Sequence, residues 1–490
     1  MRKGAVPDFG GDLYSWHPGR GVEVRWSRGC VIWSWWVPGI GGSVLTTAER
    51  PVWDGGPGRT AASLLHPGRL DVTEHPDLVS VGLVPKIGFA GPLALPGYGG
   101  LVAGIRVGFR DVRTDTARHD GTIQDPRADL LLFPYDFRIG VRPAAVRLRD
   151  EIERRLDLLS GTERAKAGRV IVIAHSMGGL VARYWLGPLG GADRGAALIT
   201  LGTPHRGAAK ALDWLVNGMV VGPMRFRKVT AVLRGWQSAY DLLPRYRMVA
   251  VTGSERPLYP HELPPDSVRQ VPGFAARAAD AFAMHEEFRA SWTDGAFPEI
   301  TPIYGRGHGT LHRARLDGAR LTVEAADPDW LPNVGWAGDG TVPAISAIPI
   351  EMDDRRGAWR WTPGTHLELG STPEAVRVLA AYTSPALSAV HGAEPQGPWL
   401  GIDLDDTVLA DTPTPMGVRL LGVRPGPDTT VGVLVTGHRI GSRQVAEGMW
   451  EATLPPGAYR VLVQAVRVPD AGRLTLTKAV GSVSPDEDDA

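Results

Sequence analysis

The chain has 490 residues, with 53 basic and 53 acidic side chains, 43% hydrophobic residues and one cysteine. That length allows a large core and more than one domain. The balanced charge argues against a nucleic-acid partner, which needs a basic face, and the lone Cys30 excludes an internal disulfide and reads as a small buried residue. Residues 1–28 read as an extended lead. Arg2 and Lys3 are followed by Gly, Ala, Val, Pro and Asp, not by an apolar run, so no signal peptide is expected. No stretch of about 18 uninterrupted apolar residues occurs, so no membrane span is expected and the localisation expected is cytoplasmic.

The first strongly apolar segment, 31–37, predicts a strand that runs into Pro38-Gly39-Ile40-Gly41-Gly42-Ser43. A glycine turn after a strand can aim a backbone N–H at a developing negative charge, and Ile40 is the expected donor. A phosphate-cradling loop would need a following Lys-Ser/Thr, which is missing. An apolar-rich insertion at 78–102 is expected beside the mouth of the same site. Residues 130–133 predict a short buried strand ending at Phe133-Pro-Tyr-Asp-Phe-Arg138, and Ala145, Val146, Leu148, Ile152, Leu156 and Leu159 recur at helical spacing over 143–159.

The most informative stretch is Val-Ile-Val-Ile-Ala at 170–174, followed by His175-Ser176-Met177-Gly178-Gly179. Branched apolar residues in a row read as a buried strand, and 180–186 reads as a helix. Between them Ser176 has small residues two positions away on either side, Ala174 and Gly178. A strand-to-helix turn that tight strains the serine backbone and exposes its hydroxyl: a nucleophile elbow, with Ala174 in place of the usual first glycine. The N–H of Met177 is the second expected oxyanion donor. A nucleophilic serine needs a base and an acid that orients the base, in the chain order Ser, Asp or Glu, His. Asp339 stands between two glycines in Gly-Asp-Gly-Thr-Val-Pro at 338–343. His366 follows Pro363-Gly364-Thr365, after a strand-like Ala-Trp-Arg-Trp at 358–361. The rival histidines are poorer: His391 lies in a Pro/Gly-rich linker and His438 beyond it.

Residues 196–201 predict another strand, and strands alternating with helices indicate a parallel sheet covered on both faces. Residues 208–298 break that rhythm and read as an inserted cap. Within it Leu212, Trp214, Leu215, Val216, Met219, Val220, Val221 and Met224 form an apolar patch, either cap core or a lid surface facing an acyl chain.

These motifs, taken in order, resemble the lecithin:cholesterol acyltransferase-like lipases and acyltransferases of the α/β-hydrolase fold. The Pro-Gly loop at 37–43 looks like the family's oxyanion loop, and Phe133 to Arg138 looks like its P-Y-D-W-R signature with Phe137 for the Trp. Residues 174–179 resemble its elbow, and Gly-Thr-Pro-His-Arg-Gly at 202–207 resembles the turn after the next strand. Asp339 and His366 sit in what look like its acid and base loops. The resemblance spans roughly residues 30–385. It implies an acyl-enzyme on Ser176 and a lipid-like ester substrate, with water or an alcohol as acceptor. The disulfide-tied lid of secreted animal members cannot form with one cysteine.

Residues 385–398 read as a linker. Six short β-like runs follow over 399–481, punctuated by Pro and Gly, and predict a small β-sandwich with a structural or interaction role. Residues 482–490 read as an acidic solvated tail. Asp403-Leu404-Asp405-Asp406-Thr407 mimics the D-x-D-x-T nucleophile of haloacid dehalogenase-type phosphatases, but too little chain remains for the α/β domain such an enzyme needs. A calcium loop would need a different ligand spacing.

The expected protein is therefore an α/β-hydrolase over 29–384 with a cap and a C-terminal all-β domain. The catalytic residues are Ser176, Asp339 and His366, with backbone donors at Ile40 and Met177. No metal or organic cofactor is needed. The expected partner is a lipid or other ester, with peripheral membrane contact through the cap. The alternatives are a thioesterase or peptidase on the same fold, or a lipid-sensing protein without turnover.

Overall fold

The computed structural model describes residues 33–56, 63, 66–88, 94–109, 111–159, 169–221, 224–293, 295–327, 330, 335–355, 358–383, 397–436 and 441–483. The lead, Cys30, most of the linker, the tail beyond Val483, His391 and His438 lie outside the described residues.

Seven parallel strands form the central sheet: β1 (Trp33–Val37), β2 (Thr114–Thr116), β3 (Leu130–Leu132), β4 (Val170–His175), β5 (Gly195–Leu201), β6 (Glu299–Gly305) and β7 (Arg360–Thr362). Their order is β7-β6-β5-β4-β1-β3-β2, so the strand that delivers Ser176 is the middle one. Every residue of β1 and β4 is buried, as expected of parallel strands covered on both faces. Side chains alternate between two cores. Trp35, Leu131, Val172 and Leu198 pack on one face with Leu148 and Ile152 of helix α2 (Val141–Leu158) and Leu180 of α3 (Met177–Leu186). Trp36, Leu130, Ile171, Ile173 and Ile199 pack on the other with Leu101 and Ile105 of α1 (Gly99–Gly108) and Ala375 and Leu379 of α6 (Pro373–Thr383). This period of two is what a strand dictates.

The cap is built from two insertions. The first contains α4 (Ala209–Val216), the short strand Val249–Val251 and α5 (Phe274–Ser291). The second is the hairpin Arg313–Asp317 and Arg320–Glu324, which lies beyond the expected cap span and pairs in parallel with Val249–Val251. Leu212, Leu215 and Val216 are buried in a common core with Ala314, Leu316 and Leu321, while Val220 is exposed. Most of the apolar patch is thus cap core. The cap also ties into the main body: Val141, at the start of α2, donates its N–H to Asp241 Oδ2 at 2.8 Å, meeting one of the helix's orphan donors.

Eight C-terminal strands follow: β8 (Trp399–Asp403), β9 (Thr407–Leu409), β10 (Pro413–Leu421), β11 (Thr430–Thr436), β12 (Arg443–Ala446), β13 (Met449–Thr453), β14 (Gly457–Val468) and β15 (Gly472–Val483). They form two four-stranded sheets, β8-β10-β13-β12 and β9-β15-β14-β11, around a shared core that includes Ile402, Met416, Trp450, Val461 and Val480. Among the described residues no helix is long and apolar enough to cross a membrane.

Candidate active site

Ser176 follows β4 directly and caps α3 with φ 51° and ψ −128°, a conformation that ordinary L-residues avoid. The neighbouring glycines are there for space. A Cβ at Gly178 would lie 2.4 Å from the Val37 carbonyl oxygen, and one at Gly39 would lie 2.8 Å from Ser176 Cβ. The turn carrying Ile40 therefore runs against the serine. Met177 is the first residue of α3, where backbone N–H groups have no partner within the helix.

Asp339 comes from a loop after β6 and His366 opens a short helix (His366–Leu369) after the loop that follows β7, and the fold brings both to the serine. His366 Nε2 lies 2.9 Å from Ser176 Oγ. His366 Nδ1 lies 2.7 Å from Asp339 Oδ2. The other carboxylate oxygen accepts the N–H groups of Thr341 at 2.9 Å and Val342 at 2.7 Å. His366 also donates its backbone N–H to the Asp339 carbonyl at 2.9 Å. Burial alone would raise the Asp339 pKa, but the adjacent His366 and the two backbone donors outweigh it and hold the carboxyl below its usual range. Gly202 clears the space beside this pair. Its φ is 56°, and a Cβ there would come within 2.9 Å of Asp339 Oδ2. Ser176 and His366 are 5% and 7% exposed, so the two side chains are shielded from bulk water.

Two residues not expected from the sequence join the opposite walls of the site. Tyr98, from the insertion after the first strands, accepts the N–H of Gly39 on its hydroxyl oxygen at 2.8 Å. Its O–H reaches His175 Nδ1 at 3.0 Å, and His175 Nε2–H reaches the His366 carbonyl at 2.9 Å. Burial, and then the neighbouring His366, push the His175 pKa down to about 3, so its ring is neutral and can both accept and donate. Burial pushes the Tyr98 hydroxyl well up, so it keeps its proton. The chain Gly39–Tyr98–His175–His366 thereby links the Ile40 turn to the base. Their only sequence signals were the elbow position next to Ser176 and an aromatic at the end of an apolar insertion.

The Phe-Pro-Tyr-Asp-Phe-Arg motif braces the same turn. Tyr135 donates its O–H to the Pro38 carbonyl at 2.8 Å and its backbone N–H to Ser43 Oγ at 3.0 Å. Phe137 packs edge-on against Trp53 and Trp236. Arg138, fully buried, pairs with Asp136 at 2.8 Å. In the turn after β5, His205 lies 3.4 Å from Arg183, which pairs with Glu351 at 3.1 Å. These are structural ties that fix the ground beneath the elbow. The acidic run after β8 also has a structural partner: Asp406 pairs with Lys478 Nζ at 2.7 Å. No group of three or more potential metal-binding side chains occurs among the described residues.

Residues 144–257, which contain the elbow and the strands on either side of it, match a family described as the PGAP1-like alpha/beta domain. The fold is that of an α/β-hydrolase. Solved structures similar to the chain include the Tle4–Tli4 complex, with 16% identity, 74% of this chain and 99% of that chain covered, and a TM-score of 0.49. The Bacillus licheniformis lipase BlEst2 in propeptide form shares 10% identity over 92% of this chain and 93% of its own, with a TM-score of 0.31. Phospholipase PlaB from Legionella pneumophila shares 14% identity over 73% of this chain and 84% of its own, with a TM-score of 0.20. At these scores none of the three bears on function. No curated protein matches the chain. The finer likeness to lecithin:cholesterol acyltransferases rests on the motifs alone.

Proposed function

We propose that the protein is a serine-dependent lipid esterase or O-acyltransferase that works through an acyl-enzyme on Ser176. The observation that carries this reading is the unbroken chain Ser176–His366–Asp339, at 2.9 and 2.7 Å, on a serine held at φ 51°. Ser176 Oγ attacks the ester carbonyl while His366 Nε2 takes its proton. Asp339 fixes the tautomer with Nδ1 protonated and stabilises the imidazolium as it forms. The N–H groups of Ile40 and Met177 receive the oxyanion. His366 then returns the proton to the leaving alcohol. A second alcohol or water, deprotonated by His366, takes the acyl group from the serine. No metal or organic cofactor enters this scheme.

A lipid-like ester is favoured by the motif resemblance and by the buried position of the reacting atoms. Contact with a membrane surface would run through the cap, where Val220 is exposed. The same machinery opens thioesters and amides, so the substrate class has to be read from products. A fluorophosphonate probe should label the wild type and not Ser176→Ala. Purified protein incubated with a lipid extract should release fatty acid, or form new esters when an alcohol is supplied, as read by mass spectrometry. Labelling that survives Ser176→Ala, or a lipid extract left unchanged by an enzyme that cleaves a thioester or peptide, overturns the reading.

A further inference from the structure

The C-terminal strands touch the main body at several places, among them the strand Ala94–Pro96, and one of these contacts lies behind the loops that carry Asp339 and His366. The contact is centred on His308, just after β6 and 1% exposed. Its backbone N–H donates to the Gly338 carbonyl at 3.0 Å, in a β-bridge to the acid loop. Its Nε2 lies 2.7 Å from the Pro363 carbonyl, in the base loop. Its Nδ1 lies 3.3 Å from the backbone N–H of Ile402, in β8, and 3.2 Å from the carbonyl of the same residue. One residue thus joins three parts: its backbone holds the acid loop, and its ring holds the base loop and the C-terminal sheet. Burial lowers the His308 pKa, which keeps the ring neutral. Nε2 faces only a carbonyl, so in the neutral ring it carries the proton and donates to Pro363, which leaves the Nδ1 lone pair to accept the Ile402 N–H.

The surroundings tighten the same point. Thr310 Oγ1 donates to the His308 carbonyl at 2.9 Å and accepts the N–H groups of Gly338 at 3.1 Å and Gly340 at 3.0 Å, the two residues flanking Asp339. Lys478, from the last strand, is 1% exposed. Its Nζ would be 3.9 Å from a Cβ at Gly340, and its charge acts on the half-buried Glu368, two residues after His366. The domains meet backbone to backbone: a Cβ at Gly401 would lie 2.3 Å from the Gly307 carbonyl oxygen.

We propose that the C-terminal β-domain is a working part of the active site, with His308 as the positioning residue that locks the Asp339 and His366 loops onto β8. This rests on the serine-hydrolase reading above. It reverses the expectation that a domain after the linker has a structural or interaction role only.

The test uses full-length protein and a short-chain nitrophenyl ester, which needs no lipid docking. Asn at 308 can replace only the Nδ1 contact to Ile402, whereas Gln can reach the Pro363 carbonyl and replace the Nε2 contact. His308→Asn should lower kcat about 30-fold with KM within about twofold, because a displacement of about 1 Å in the acid–base pair has effects of that order. His308→Gln should recover at least about fivefold of that loss, by restoring the donor to the base loop. Gly401→Ala, which touches neither loop, should lower kcat about tenfold by wedging the domains apart, with its circular dichroism spectrum retained.

The proposal fails if Gln and Asn at 308 give equal kcat, or if a folded Gly401→Ala keeps wild-type kcat. Should His308→Asn not fold, Gly401→Ala alone decides. Ser176→Ala separates the two levels of the argument. Turnover that survives that change sinks the serine-hydrolase reading itself. An inert Ser176→Ala with unaffected His308 and Gly401 variants sinks only the role given to the C-terminal domain.

Discussion

Ser176 stands at the end of the middle strand of the sheet, and its position follows from backbone within a few residues: the buried run of β4, the positive φ and the start of α3. Asp339 and His366 stand on loops beyond β6 and β7, towards the sheet edge, and long-range contacts hold them there. The base is tied to His175 through its own carbonyl, and both loops are tied to His308. The proposed nucleophile is a local product of the sequence; the proposed acid–base pair is a product of tertiary structure. Damage to the two sides should therefore look different, in kind as well as size.

The largest effect is expected at the serine. Ser176→Ala, or His366→Ala, should lower kcat on a short ester about 10⁶-fold while the protein stays folded. Stopped assays on concentrated enzyme would read this against background hydrolysis. Asp339→Asn should cost about 10⁴-fold in kcat with little change in KM, because an amide favours the wrong imidazole tautomer. A loss in KM alone would mean that Asp339 serves binding, not the base.

Tyr98→Phe probes the link between the two sides. It removes a hydroxyl that serves Gly39 and His175 at once. The orphaned buried groups should cost about 1–3 kcal/mol of stability, seen in denaturant melts. Activity should fall about tenfold, because the oxyanion turn and the base lose their common tie. An unchanged kcat in Tyr98→Phe would show that the two walls are fixed independently.

The smallest effect, taken per group and per pH unit, is set by pH. His175 and His285 are buried and neutral, with pKa values pushed down to about 3 by burial first. Unfolding lets each rise to its ordinary value of about 6.5, so the unfolded chain binds more protons below that pH. Stability is full above about pH 6.5 and falls as pH drops towards 3, by about 1.4 kcal/mol per unit for each ring. Asp241 works the other way. Burial raises it to about 6, so between about pH 6 and 4 the folded state holds the extra proton and offsets one histidine. Thermal melts from pH 7 to 4.5 should show a net fall that steepens in Tyr98→Phe only if His175 has changed state.

What the sequence made legible follows the same division. The elbow could be read because its determinants are contiguous: a branched apolar run, two small residues and a helix. The acid and base loops were visible as glycine-flanked residues in the right order. What holds them was not, since His308 meets Ile402 across 94 positions and Tyr135 meets Pro38 across 97. Strand β6 went unread because Pro302 sits inside it, in register with Thr200 of β5. The second half of the cap did leave a signal. Ala314 and Leu316, then Leu321 and Val323, alternate with polar residues around Asp317-Gly318, where Gly318 has φ 58°. A hairpin follows from that pattern, although its pairing with Val249–Val251 does not.

The backbone of Ser176 has one further consequence, for selection. A serine at φ 51° and ψ −128° holds about 1–3 kcal/mol that glycine would not. Ser176→Gly should therefore melt at a higher temperature than the wild type while losing all turnover. A screen that rewards heat tolerance alone would drift towards that dead variant, and a lineage that keeps the serine carries its instability as a mark of use. Finding Ser176→Gly less stable than wild type would mean that the surrounding hydrogen bonds had already relaxed the turn.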